Sequence, residues 1–497
     1  MEKYDVIIIG SGLSGLECAY ILSRKGYHVC VLEQNAHIGG CLQTFRRGKT
    51  TFDTGFHYVG GLEEGQSLHA LFRYFDLLDL PWQKMDEDGF SEVIIQGKSY
   101  MFPSGHERFA DKMAEYFPHQ RQQIVNYTSF LKKVGENIMN SFQTGVKNDF
   151  TASTLLERSA YDFLQNSFDD PLLINVLSGA SFTMELCAEK LPLYVFAQIN
   201  NSFIQSAWRL KGGGSLIAEK LADNIRRMGG EVHTNAKVTR FNEHGGLMKS
   251  VCVNNGEEIA GKHFISSMHP ALTLSLIPET SNIRNIYRKR INNMENTHGI
   301  FTAHLQLKPD TVPYLNRNIN IFNGTSPWND AGVRSSGTTA ALVSFQMPKS
   351  GGAYTSNIDI LTPMLWQEVA QWANGRGAAY SAFKAQKAEE CVHLVSKRLP
   401  HLKDSIERIY TSTPLTYRDY TGTYEGSAYG IRKDYSHLVY TLLSPQTQIP
   451  NLLLTGQNLN LHGVLGVSMT SFFTCAKWVG MESLIKELEN GGPVYPR

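Results

Sequence analysis

No apolar run in these 497 residues reaches the roughly 18 needed to cross a bilayer as a helix, which excludes a helical integral membrane protein. Cysteine is scarce. The seven, at 18, 30, 41, 187, 252, 391 and 475, are odd in number and contain no CxxC pair. Reduced thiols are expected, and neither a disulfide framework nor a metal site has support. Excess charge of one sign is missing as well. Forty-seven Lys and Arg against forty-six Asp and Glu leave a net +1, so no global electrostatic argument for nucleic acid exists. No fixed-period repeat or low-complexity tract occurs. With an apolar strand expected from Tyr4 onward, no leader peptide is expected, and the reading is a cytoplasmic protein. Single cores seldom grow past about 250–300 residues, so this length implies more than one domain.

What the chain does have is concentrated in its first forty residues. Tyr4 to Ile9 (YDVIII) reads as a buried parallel strand, and Gly10, Gly12 and Gly15 follow at GxGxxG spacing. Leu13 to Lys25 reads as a helix, His28 to Leu32 as a second strand, and Glu33 stands at its end. Each piece has a physical task in holding a dinucleotide. Gly10 permits the tight turn, Gly12 lets backbone approach a pyrophosphate, and Gly15 allows close packing of helix on sheet. The helix N-terminus offers free N–H groups and the positive end of its dipole. Glu33 can accept hydrogen bonds from an adenosine ribose, and its charge disfavours a 2′-phosphate. A further glycine pair, Gly39 and Gly40, precedes the segment Phe52 to Gly61 (FDTGFHYVGG). An ordinary NAD-binding domain has no need of that pair.

With these motifs the sequence resembles the phytoene desaturase and amine oxidase superfamily of flavoproteins. Near the C-terminus TGQ (Thr455, Gly456, Gln457), then Gly463 and Gly466, resembles the retinol saturase branch, as does GGC (Gly39, Gly40, Cys41). The segment Thr413 to Gly430 (TPLTYRDYTGTYEGSAYG) extends the resemblance. Most superfamily members carry an acid at the position of Gln457, and many keep a glycine where this chain has Thr470.

The resemblance implies an α/β fold: an FAD-binding two-dinucleotide-fold (Rossmann-like) domain interleaved with an α+β substrate-binding domain. Residues 1–70, 208–289 and 436–497 are expected to form the first, and 71–207, largely helical, and 290–435 the second. By the same resemblance Gly10, Gly12, Gly15, Glu33, Gly39 and Gly40 hold the ADP half of FAD, and Val238 presents backbone to the adenine. Gly456, Gln457, Gly463 and Val464 lie beside the ribityl chain and ring, with a helix from about Gly466. The implied activity is FAD-dependent saturation, desaturation or isomerisation of carbon–carbon double bonds in an apolar isoprenoid or polyene. A flavin amine oxidase is the competing enzyme, and a prenyl-lipid carrier like the Rab escort proteins the non-enzyme alternative.

Other residues carry two readings each. His57 and Tyr58 face flavin or substrate, or simply pack. Cys41 is a small residue permitting close backbone passage rather than a nucleophile. Tyr417, Tyr420, Tyr424 and Tyr429 line an apolar tunnel or serve as core. The run Arg284, Arg288, Lys289, Arg290 is a solvated helix face or a contact with an anionic membrane periphery. With one complete GxGxxG and no CxxC, the electron partner is a soluble carrier, quinone, oxygen or transient NAD(P)H.

Overall fold

Tyr4–Ile9 (β1) is buried everywhere but Asp5, as a strand paired on both edges of a covered sheet must be. The computed structural model describes residues 4–137, 150–279, 282–324, 326–329, 337–348 and 351–490. The ends of the expected FAD-binding domain, 1–3 and 491–497, lie outside the described residues. After β1 comes α1 (Leu13–Arg24), buried from Leu13 to Ser23, then β2 (Val29–Leu32), parallel to β1. β3 (Glu258–Ser266) takes the other edge of β1, again parallel. Later follow α2 (Asn285–Asn292), α3 (Leu438–Thr441), β4 (Leu452–Leu454) and α4 (Gly463–Val479). β4 pairs parallel with β3, and α4 packs on α1. Glu231–His233 adds outside β2, and an antiparallel hairpin of Val238–His244 and Leu247–Val253 joins the first half of β3.

Register decides where the functional edge falls. Ile9 stands opposite Leu32 and Ser266, and Ser266 opposite Leu454. Four parallel strands therefore end at one level, and Gly10, Glu33, Ser267 and Thr455 leave the sheet together. Ligands of open parallel sheets bind at that carboxyl edge.

A second seven-stranded sheet runs in the order Ile406–Ser412, Gly299–Leu307, Asn357–Met364, Ala340–Phe345, Asn318–Phe322, Ser91–Ile95, Lys98–Phe102. All its neighbours are antiparallel except Ser91–Ile95 beside Asn318–Phe322. The stretch 71–207 is thus less purely helical than expected. It carries helices such as Arg121–Glu136 and Leu193–Gln205, yet also gives two strands to this sheet. Apolar clusters cover both faces of the first sheet, and two more pack around the second. Among the described residues no helix is long and apolar enough to cross a membrane.

Candidate functional site

One cavity of about 450 Å³ begins at the carboxyl edge of the first sheet and continues toward the second. Of the residues expected to bind cofactor, Gly10, Gly12, Glu33, Gly39, Gly40, Val238, Gly456, Gln457, Gly463 and Val464 all line it. Gly15 does not. A Cβ on Gly15 would lie 2.1 Å from the Gly10 carbonyl oxygen, so its part is to let α1 press against the turn. A Cβ on Gly12 would meet nothing within 4 Å, because Gly12 faces the cavity. The second glycine pair packs on the first: Gly39 N–H donates to the Ser11 carbonyl at 3.0 Å, and a Cβ on Gly40 would touch Gly12 Cα at 3.2 Å. The two turns form a continuous cradle of bare backbone.

Glu33 is buried, and its carboxylate is already oriented. Oε2 accepts from Ser11 N–H at 3.0 Å and the Ser11 hydroxyl at 2.6 Å, and Oε1 accepts from Asn35 N–H at 2.9 Å. Sequence reasoning missed Ser11, which holds the acid in place; a hydroxyl between the first two glycines was the available signal. Oε1 keeps acceptor capacity toward the cavity.

Both α1 and α4 start at the cavity wall with no side chain capping their N-termini. Their free N–H groups and dipoles converge on one space, which suits a diphosphate at α1 and developing negative charge at α4. α4 starts at Gly463, three residues before the expected Gly466, because Gly463 absorbs the turn at φ +73°. Gly466 is where that helix touches the Leu461 backbone, with 2.6 Å left for a Cβ. Thr470 is buried outside the cavity, and its hydroxyl donates to the Gly466 carbonyl at 2.8 Å, so it takes no part in the cavity wall. The Thr423, Ser427 and Thr183 hydroxyl oxygens are buried on cavity-lining residues without a partner among the described residues. A wall of uncapped helix ends, glycine turns, a pre-set acid and unpaired hydroxyls fits a flavin dinucleotide.

The far part of the cavity is lined differently, by Phe182, Ile199, Phe203, Ile300, Leu342 and Leu361. His57 and Tyr58 stand on its wall. Burial presses the His57 imidazole down to about 4, aided by His304 and Arg209 and opposed by Asp359. Its Nε2 has no hydrogen-bond partner among the described residues. The Tyr58 ring lies 4.4 Å from Phe203, and burial drives its phenol well above the ordinary value. Tyr417, Tyr424 and Tyr429 line the cavity, whereas Tyr420 points to solvent. The Tyr417 hydroxyl is held by Thr302 Oγ1 at 2.9 Å and the Thr54 carbonyl at 3.1 Å. Burial also raises the Cys41 thiol, against a hydrogen bond with Thr421.

Three further features were not legible as site elements. Asp53 of the FDTG segment accepts from Gly214 N–H at 2.8 Å, tying it to the later GGG turn, and burial pushes its carboxyl up to about 7. Lys433 is buried with no carboxylate partner among the described residues, and burial presses its amine down to about 7. Its Nζ donates to the Thr441 and Asn458 carbonyls at 3.1 and 2.7 Å. Glu17, wholly buried in α1, receives the Ser468 and Ser471 hydroxyls of α4 at 2.5 and 2.9 Å.

The chain is similar to known proteins. The model of a family described as flavin containing amine oxidoreductase matches residues 13–464. The all-trans-retinol 13,14-reductase of Homo sapiens is 25% identical over an alignment covering 98% of this chain and 87% of that protein. Prolycopene isomerase 2 of an Oncidium hybrid cultivar is 24% identical, with 85% of this chain and 75% of that one covered. A triple mutant of putrescine oxidase superimposes with a TM-score of 0.63 at 16% identity, covering 96% of this chain and 98% of that one, a likeness of fold alone.

Proposed function

The chain belongs to the flavin-containing amine oxidoreductase family and takes FAD as its cofactor, and from that premise we propose that it acts on carbon–carbon double bonds of an apolar isoprenoid or polyene. The observation that carries this reading is continuity. The glycine-lined edge opens without a break into a chamber walled by Phe182, Ile199, Phe203, Ile300, Leu342 and Leu361. Similarity over nearly the whole chain to proteins named for retinol reduction and prolycopene isomerisation supports it.

In this reading Gly10, Gly12, Gly39 and Gly40 bring backbone to the diphosphate, with Gly15 seating α1 behind them. Glu33 takes the ribose and Val238 the adenine. Gly456, Gln457, Gly463 and Val464 border the ribityl chain and ring. The same reading assigns 1–70, 208–289 and 436–497 to FAD binding and 71–207 and 290–435 to the substrate, in keeping with the two sheets. Bound FAD supplies hydride transfer to or from a carbon atom. The chain excludes water with its apolar wall and lays the substrate along the ring. It also offers two groups that hold a proton at neutral pH, the Tyr58 hydroxyl and one His57 ring nitrogen.

The test is to incubate the FAD-loaded protein anaerobically, once reduced and once oxidised, with all-trans-retinol and with a cis-carotenoid, and separately the oxidised protein in air with primary amines. A saturated, desaturated or isomerised polyene is the expected product. Peroxide release with amines and an unchanged polyene would overturn the proposal in favour of a C–N oxidase.

A further inference from the structure

The most exposed large apolar side chains among the described residues meet at one place on the surface. Val439 is 81% exposed, Ile286 76% and Tyr440 63%. Ile286 belongs to α2, the other two to α3, and Arg290 clips the helices together. Its guanidinium donates to the Val439, Tyr440 and Leu442 carbonyls at 2.8, 3.3 and 3.4 Å. Ile286 and Arg290 are four apart on α2 and share a face. The tips are therefore held side by side by a buttress that leaves them bare.

The surroundings are cationic. No Asp or Glu occurs in residues 282–294 or 435–448, while Arg284, Arg288, Lys289 and Arg290 all fall within the first span. Arg288 is taken up by the Leu274 and Pro278 carbonyls at 2.6 and 2.8 Å. Arg284 and Lys289 remain exposed, with no carboxylate partner among the described residues. The neighbouring acids are Glu279, exposed, Glu295, which is paired with Lys190 and Arg432 at 2.7 and 2.8 Å, and Asp434, which accepts from Ser436 N–H at 3.0 Å and sits 3.5 Å from His437. Against a whole-chain net charge of +1, this is a local concentration of positive charge around apolar tips.

We propose that this surface docks on an anionic lipid bilayer, with Ile286, Val439 and Tyr440 entering the interface and Arg284 and Lys289 over the headgroups. Apolar tips supply insertion and cations supply attraction to acidic lipid, the combination that interfacial elements use. A tyrosine suits the headgroup level, where its ring is buried and its hydroxyl stays wet. A second copy of the chain fits poorly, because a two-fold contact would set these like charges against each other. The rear of the patch reaches the cavity: Lys433 bridges Thr441 of α3 to Asn458, which lines the cavity beside Gln457. Docking here would leave the flavin site one buried side chain from the membrane-facing helix.

The experiment uses the full, FAD-loaded protein and vesicle flotation, with about 30% phosphatidylserine in phosphatidylcholine against phosphatidylcholine alone. The protein is expected to float with the anionic vesicles, and to be released by salt. Val439→Asp with Tyr440→Asp should weaken binding at least about tenfold. Lys289→Glu should weaken it about fivefold or more. Flavin absorbance and melting temperature report that the variants remain folded, as expected at such exposed sites. Failure of the parent protein to float, or flotation of the variants equal to the parent, would overturn the proposal. So would concentration-dependent self-association, seen by ultracentrifugation without flotation and abolished by the same variants. None of these readouts depends on the substrate, so this proposal and the polyene reading can fail separately.

Discussion

At the glycine end of the cavity the wall is main chain; at the far end it is side chain. Around Gly12, Gly39 and Gly40 the lining is backbone approaching backbone, and Glu33 is fixed by Ser11 rather than by packing. Around Phe182, Ile300, Leu342 and Leu361 the lining is ordinary core residues presented by a mixed sheet and its helices. A main-chain wall has one geometry, and where its turns touch, at Gly15 and Gly40, almost no room is left for an added atom. A side-chain wall can be relined residue by residue, so substrate choice can change while the cofactor edge stays fixed.

The sharpest test of that contrast lies within the first end. Gly15→Ala drives a methyl into the Gly10 carbonyl and should cost about 3 kcal/mol or more in stability, read as a large fall in melting temperature. Gly12→Val places its methyls in open cavity and should fold normally while losing FAD by at least about tenfold, read by flavin absorbance. If Gly12→Val keeps its flavin, the glycine end is not the cofactor wall. Glu33→Arg comes next. It strands Ser11 and reverses the charge at the ribose position, and should weaken FAD about a hundredfold in a fluorescence titration.

Glu17 lies behind the main-chain wall and gives a pH test. Burial raises its carboxyl to about 8 against the hydrogen bonds of Ser468 and Ser471. For an acid raised in the folded state, stability is full below its unfolded value and declines as pH climbs toward the folded one. Glu17→Gln should remove that decline, gaining on the order of 1–3 kcal/mol over the parent at pH about 8.5 and little at pH about 4. Melting temperatures at the two pH values decide it. In the side-chain wall, Leu342→Trp should leave FAD content unchanged and lower kcat/KM for long polyenes about tenfold relative to short ones. The smallest effect is expected for Cys41→Ala, within about twofold on turnover, since its environment raises the thiol rather than activating it. A larger loss would give Cys41 a chemical role.

The same contrast explains what the sequence disclosed. The GxGxxG turn, Glu33 and the TGQ turn are local and contiguous, because backbone conformations are written by the residues that adopt them. The start of α4 was misjudged because a glycine with positive φ reads as a break, whereas Gly463 is the helix's first residue. The strands Ser91–Ile95 and Lys98–Phe102 went unseen because their pairing depends on Asn318–Phe322, far along the chain. The chamber was legible only in part: Tyr417, Tyr424 and Tyr429 of the tyrosine cluster line it, whereas Ile300, Leu342 and Leu361 look like any core residue until a sheet sets them side by side. Glu17 was passed over, because a single acid in a helix reads as its solvent face until α4 brings Ser468 and Ser471 against it.

The shared endpoint of the four parallel strands has a consequence for assembly. β4 comes from residues 452–454, and it borders β3, which itself borders β1. A nascent chain that has exposed its glycine turn, its acid and most of its length still lacks one side of the vessel. Flavin capture on this architecture therefore waits for residues 452–454, and a message cut short before them yields a protein with every nucleotide motif of the first strand pair and one side of the vessel missing.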